Sequence, residues 1–177
     1  MRQVREMEEQ YRLPALELVE EVFTQHDSPE EGRMVRRLVE EIRAGRYDIP
    51  RLELVMVDEE DGVIGYAMFS RFPIEGKYEE ELLLLSPVAV KTALQRQHIS
   101  KDLLGYGFAR AKELGFRAVL VEGDPQKLCG PELSAQLSLR DRGGAKRPAA
   151  PARMPDGEGA GGRGAGGHGG ICGLFLL

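Results

Sequence analysis

Residues 82–90 read L-L-L-L-S-P-V-A-V and run on directly into K-T-A-L-Q-R-Q-H-I-S-K, ending at residue 101. Four leucines in succession cannot alternate between a wet and a dry face. The strand they form should therefore be covered on both sides and lie inside a sheet rather than at its edge. Past the irregularity at Ser86 and Pro87, a polar turn opens an amphipathic helix. A strand end and a helix start are thereby set side by side. The helix start offers backbone N–H groups and the positive end of a helix dipole, which suits phosphate.

The periodicities around this segment assign the other elements. Residues 1–6 carry a weak strand signal around Val4. A helix is expected over residues 9–25, where Leu13, Leu16, Val19, Val22 and Phe23 recur at helical spacing, with Pro14 early enough to be tolerated. The next helix has a local start signal in Ser28, Pro29, Glu30 and Glu31: a hydroxyl at the N-cap, proline at the first helical position and glutamate three residues after the cap. Its buried stripe reads Val35, Leu38, Val39 and Ile42, and Gly45 ends it. Strands are expected over residues 52–57, 63–72 and 82–90, forming an antiparallel meander whose first turn closes on Asp61 and Gly62.

A third helix is expected from residue 97 or 99 to 114, with Ile99, Leu103, Phe108, Ala111 and Leu114 on its buried face and Gly115 at its end. The run R-A-V-L-V-E over residues 117–122 is a further strand. A crossover of this length makes it parallel to the strand at 82–90, through a right-handed connection. The expected fold class is α+β, with helices packed on a mixed, mostly antiparallel sheet.

After Pro125 the character of the chain changes. From residue 141 to the end, 12 of 37 residues are glycine, and no helical or strand period survives. Such a segment buries too little apolar surface to offset its ordering entropy, so residues 126–177 are expected to be a disordered Gly/Ala/Arg/Pro-rich tail. A shift of reading frame near Gln126 in GC-rich DNA would yield this composition; a genuine extension on a shortened domain is the alternative. In either case the strand at 117–122 is expected to keep one unpaired edge, the final I-C-G-L-F-L-L to be a sticky end without partners, and stability to be marginal.

Charge and cysteine content narrow the function. Residues 1–125 hold 17 Lys/Arg against 25 Asp/Glu. An acidic body lacks the clustered basic face that nucleic acid requires, and it suits a basic partner such as an amine. No apolar run approaches the length of a membrane span, and the N-terminus lacks the apolar stretch of a secretory signal, so a cytoplasmic location is expected. Cys129 and Cys172 suggest neither a metal site nor a disulfide framework, and His26, His98 and His168 are too scattered to bind a metal.

The order of these elements, together with Ser86 to Val90 and the following Q-R-Q-H-I-S-K, resembles the GNAT superfamily of acetyl-CoA-dependent N-acetyltransferases. The resemblance covers roughly residues 1–125, and only residues 86–101 are specific to the motif. It implies a GNAT-like three-layer fold whose C-terminal strands are lost here, residues 1–125 forming an incomplete domain. It also implies that acetyl-CoA is the acetyl donor. Pantetheine would pair with Val88, Ala89 and Val90, and the pyrophosphate would sit on Gln95, Arg96, Gln97, His98, Ile99, Ser100 and Lys101, in the place of the family motif Q/R-x-x-G-x-G/A. Both motif glycines are replaced, by His98 and Ser100.

The physical requirements agree with that placement. A pyrophosphate needs converging N–H donors, and the two amides of pantetheine can be satisfied by an unpaired strand edge near a bulge. Arg96 and Lys101 add charge for the phosphates. The family's chemistry needs a base to deprotonate the acceptor amine, which then attacks the thioester directly. Glu80, Glu81 and Glu122 are the carboxylates near the expected cleft, with Glu81 and Glu122 the candidates for the base. The tyrosine that often protonates the leaving thiolate is absent from G-D-P-Q-K-L-C-G-P. The acceptor is an unidentified small molecule or protein amine. A different class stays open beside this one: a non-catalytic α+β module binding a CoA-like nucleotide or a protein partner.

Overall fold

The computed structural model describes residues 1–60, 62–74, 78, 80–123 and 170–176, with residues 122, 123 and 170–176 described by backbone alone. The expected tail residues 126–169, Cys129 among them, lie outside the described residues. The elements are β1 (Gln3–Glu6), α1 (Glu9–His26), α2 (Pro29–Ala44), β2 (Glu53–Val57), β3 (Val63–Arg71), β4 (Leu82–Val90), α3 (Ile99–Glu113), β5 (Ala118–Gly123) and β6 (Gly170–Leu176). Short 3₁₀ turns at Pro50–Leu52 and Thr92–Leu94 precede β2 and α3.

The strands form one sheet in the order β1-β2-β3-β4-β5-β6, antiparallel throughout except for the parallel pair β4 and β5. The meander and the parallel crossover are those expected from the sequence. One face is covered by α3, whose Ile99, Leu103, Leu104, Phe108 and Ala111 pack with Leu54, Met56, Phe69, Leu83 and Leu85. The other is covered by α1 and α2, where Tyr11, Ala15, Leu16, Val19, Val22, Val35 and Val39 meet Val55, Val57, Tyr66 and Met68. These are the three layers of an α+β fold.

The local signal at α2 acts as expected: Ser28 Oγ accepts from the Glu31 N–H at 3.2 Å, with Pro29 as the first helical residue. Three expectations need correction. Leu13 and Leu38, placed in buried stripes, are exposed, because the two helices turn other residues of those rows toward the sheet. The leucine run of β4 is interior to the sheet, yet only Leu83 and Leu85 are fully buried; Leu82 and Leu84 are half-buried. The edge of β5 is not left open, since β6 pairs along it from Ala118 opposite Leu176 to Gly123 opposite Gly170. The final apolar residues thus find their backbone partners on the strand that needed them.

Candidate functional site

The site is set by where β4 and β5 stop pairing. Their parallel ladder runs from Leu82 opposite Ala118 to Leu85 opposite Val121, and β4 then continues for five residues that, among the described residues, pair only with β3. At the parting point lies a bulge: Leu85 faces Phe69 and Val88 faces Ala67, so Ser86 and Pro87 together oppose the single residue Met68. The extra residue shifts the alternation by one. Val88 and Val90 thereby join Leu83 and Leu85 against the α3 core, while Ala89 faces the α1 and α2 side.

The same shift aims the backbone. The Lys91 N–H donates to the Ile64 carbonyl on β3, so by strand alternation Ala89 also turns its polar groups to β3. Those of Val88 and Val90 face the opening. The Val90 carbonyl is met there by Gln95 Nε2 at 3.3 Å. An extended ligand with amide groups would find a short free edge at this point.

The loop after β4 leads to the start of α3, which begins at Ile99, the later of the two expected positions. His98 is its N-cap, with φ 64° and ψ 8°, and Arg96 also has a positive φ, of 61°. Left-handed backbone costs a non-glycine residue about 1–2 kcal/mol. His98 stands where the motif has glycine, and the structure shows why glycine suits the place. Ser100 lies in the first helical turn with ordinary helical geometry, so its replacement of glycine costs little. Arg96, His98, Ser100 and Lys101 are exposed, whereas Ile99 is buried and anchors the helix start. The N–H groups of Ile99, Ser100 and Lys101 precede the first helical hydrogen bond, from the Asp102 N–H to the His98 carbonyl. They are directed out of the helix end.

The free edge of β4 at Val88 and Val90 therefore lies beside residues 95–101 at the start of α3, whereas Ala89, expected among the residues that pair with pantetheine, turns its polar groups to β3 and its side chain to the α1 and α2 side. The carboxylates do not all join them. Glu122 follows the last β4–β5 pair directly, at the mouth of the opening, in the register opposite Ile171. Glu80 and Glu81 precede β4, at its other end. Seven residues separate Glu81 from Val88, roughly 20 Å at strand rise, and the Glu81 carboxylate is paired with Arg117 at 3.4 Å. Both glutamates line a separate cleft of about 510 Å³ with Asp48, Arg51, Arg71 and Phe116.

One buried polar cluster has no signal in the sequence, because its members come from three elements. Glu53 on β2 accepts from Arg43 Nε at 2.8 Å, from Arg43 Nη2 at 2.5 Å and from the Tyr66 hydroxyl at 2.7 Å, all at Oε1. Burial and the negative charge of Glu53 hold the Tyr66 phenol well above its ordinary pKa, so the hydroxyl remains a donor. Partial burial, with Glu53 nearby, raises the carboxyl of Asp48 at the neighbouring turn. The cluster lies on the sheet face covered by α1 and α2. Among the described residues no group of His, Cys, Asp and Glu could hold a metal ion, and no helix is long and apolar enough to cross a membrane.

Comparison with known proteins gives a consistent result. The sequence pattern of the Acetyltransferase (GNAT) family matches residues 15–127. The Escherichia coli K12 protein YhbS, described as an uncharacterized N-acetyltransferase, is 34% identical over 93 residues, 51% of this chain and 55% of that protein. This chain thus spans about half the length of the curated relatives it matches. The crystal structure of Escherichia coli YhbS in complex with CoA is 27% identical with a TM-score of 0.58, over 77% of this chain and 71% of that one. A GNAT acetyltransferase from Brucella melitensis, in complex with acetyl-CoA, has a TM-score of 0.61 at 24% identity over 73% of this chain and 82% of that one, a likeness of fold.

Proposed function

Because this chain belongs to the GNAT family of acetyltransferases, we propose that it binds acetyl-CoA in the opening between β4 and β5 and transfers the acetyl group to an amine. The observation that carries this is the parting of the two strands beyond Leu85 and Val121, which leaves the polar groups of Val88 and Val90 facing the gap beside the start of α3. In that arrangement Val88 and Val90 pair with the amides of pantetheine. The N–H groups of Ile99, Ser100 and Lys101 receive the pyrophosphate at the positive end of the helix. Arg96 and Lys101 add unlike charge at the surface.

Transfer forms a bond from the acceptor nitrogen to the acetyl carbon and breaks the carbon–sulfur bond, with the sulfur leaving as thiolate and taking up the second proton that the nitrogen sheds in becoming an amide. The ammonium proton must first go to a base. Glu122 is the carboxylate we assign to that role, because its backbone stands at the mouth of the opening while Glu81 lies at the far end of β4 and is engaged by Arg117. The acidic body of residues 1–125 favours a cationic acceptor.

Calorimetric titration of the full chain with acetyl-CoA tests the donor site. Val90→Pro removes an N–H that faces the gap and leaves the β3 ladder intact; it should weaken binding about tenfold with the melting temperature little changed. No heat with the parent protein, or equal binding by the variant, contradicts the site. Release of free thiol from acetyl-CoA over a panel of small amines and basic peptides reads out transfer. Glu122→Gln should lower kcat about a hundredfold while leaving acetyl-CoA affinity as it was.

A further inference from the structure

The loop between β4 and α3 contains two left-handed residues without glycine at either, and three of its side chains are held by the N-terminal part of the chain. Thr92 Oγ1 donates to Gln25 Oε1 at 2.5 Å, and Gln95 Nε2 lies 3.0 Å from His26 Nε2. Arg2 Nη2 donates to Gln97 Oε1 at 2.5 Å. Gln25 and His26 end α1, which covers the opposite face of the sheet from α3. The Gln95 nitrogen has only hydrogens to offer, so His26 Nε2 is the acceptor and the ring is the Nδ1–H tautomer. The other hydrogen of that amide goes to the Val90 carbonyl. One side chain therefore joins α1, the free end of β4 and the strained loop.

We propose that Gln25 and His26 are positioning residues for the cofactor loop. The end of α1 holds residues 92–98 in the shape, left-handed at Arg96 and His98, that presents the N–H groups of α3. Glycine adopts such a shape without external support; Arg96 and His98 do not, and the contacts from α1 supply what their backbone preference withholds. The consequence for binding rests on the acetyl-CoA assignment above, whereas the consequence for loop order does not.

Two measurements on the full chain separate these. Hydrogen exchange of the unliganded protein, read on peptides spanning residues 92–101, should be faster in the variant carrying Gln25→Ala and His26→Ala, with exchange in the body of α1 and the melting temperature unchanged. Calorimetry with CoA should show that variant binding about fivefold more weakly. With Arg96→Gly and His98→Gly together as the background, the same pair of substitutions should change CoA affinity less than about twofold, because the strain they oppose is gone. A role of Gln25 and His26 in helix packing alone would give the same loss in both backgrounds. Unchanged loop exchange, or an equal loss in both backgrounds, overturns the proposal. A parent protein that gives no heat with CoA but shows the exchange effect overturns the cofactor assignment and leaves the loop-holding role standing.

Discussion

At the scale of single residues, the strongest dependence lies in the cluster of Arg43, Glu53 and Tyr66. The side chains of Glu53 and Arg43 are 3% and 9% exposed, so neither charge can be left to water. Arg43→Met strands a buried carboxylate and should cost about 3–5 kcal/mol. Tyr66→Phe removes one neutral donor and leaves the guanidinium in place, at about 1–3 kcal/mol. Urea denaturation of the two variants measures both, and a Tyr66→Phe cost above that of Arg43→Met would show that the pair is not electrostatically dominated. None of this was legible in the sequence, since nothing local ties residues 43, 53 and 66 together. The placing of residues 88–101 on a strand end, a turn and a helix start was legible, because the three are contiguous there. The left-handed backbone of Arg96 was not, as arginine gives no sign of it.

At the scale of elements, α3 supplies a controlled comparison. A Cβ at Gly107 would lie 2.5 Å from Phe69 Cζ and 3.1 Å from Leu54 Cδ1, whereas one at Gly105 would meet nothing within 4 Å. Phe69 is itself fixed edge-on against Phe108, with ring centroids 5.8 Å apart. Gly105→Ala should therefore stabilise the protein by about 0.5–1 kcal/mol through helix propensity. Gly107→Ala should destabilise it, by about 1–3 kcal/mol. Thermal melts of the two would disprove the packing if both moved the same way. The element boundaries followed the sequence where the determinant is local, as at Ser28 and Pro29. They departed from it where a partner decides: a helical row containing Leu13 or Leu38 can be apolar yet face solvent, because the docking of α1 and α2 chooses which flank is covered.

At the scale of the whole molecule, the sheet is finished by a strand that the composition hid. The glycine-rich stretch masks the apolar I-C-G-L-F-L run, and pairing across residues 123 and 170 is invisible to any local pattern. β6 covers the edge of β5 that would otherwise present unpaired N–H and C=O groups. Ending the chain at residue 169 should uncover that edge and raise self-association, seen as increased light scattering and lower soluble yield. A truncated protein that stays monomeric and melts like the full chain would show that β6 contributes nothing to the sheet. The division within β4 reaches further. Residues up to Leu85 have strands on both sides, and among the described residues those from Val88 onward pair as a strand with β3 alone. Over evolutionary time the two halves are therefore subject to different filters: drift in the first is screened by whether the protein persists at all, while drift in the second can alter what the edge accepts in a protein that still folds. Under the proposed assignment, a descendant lineage could change its donor preference by substitutions beyond Pro87 alone, with the rest of the sheet carried forward unaltered.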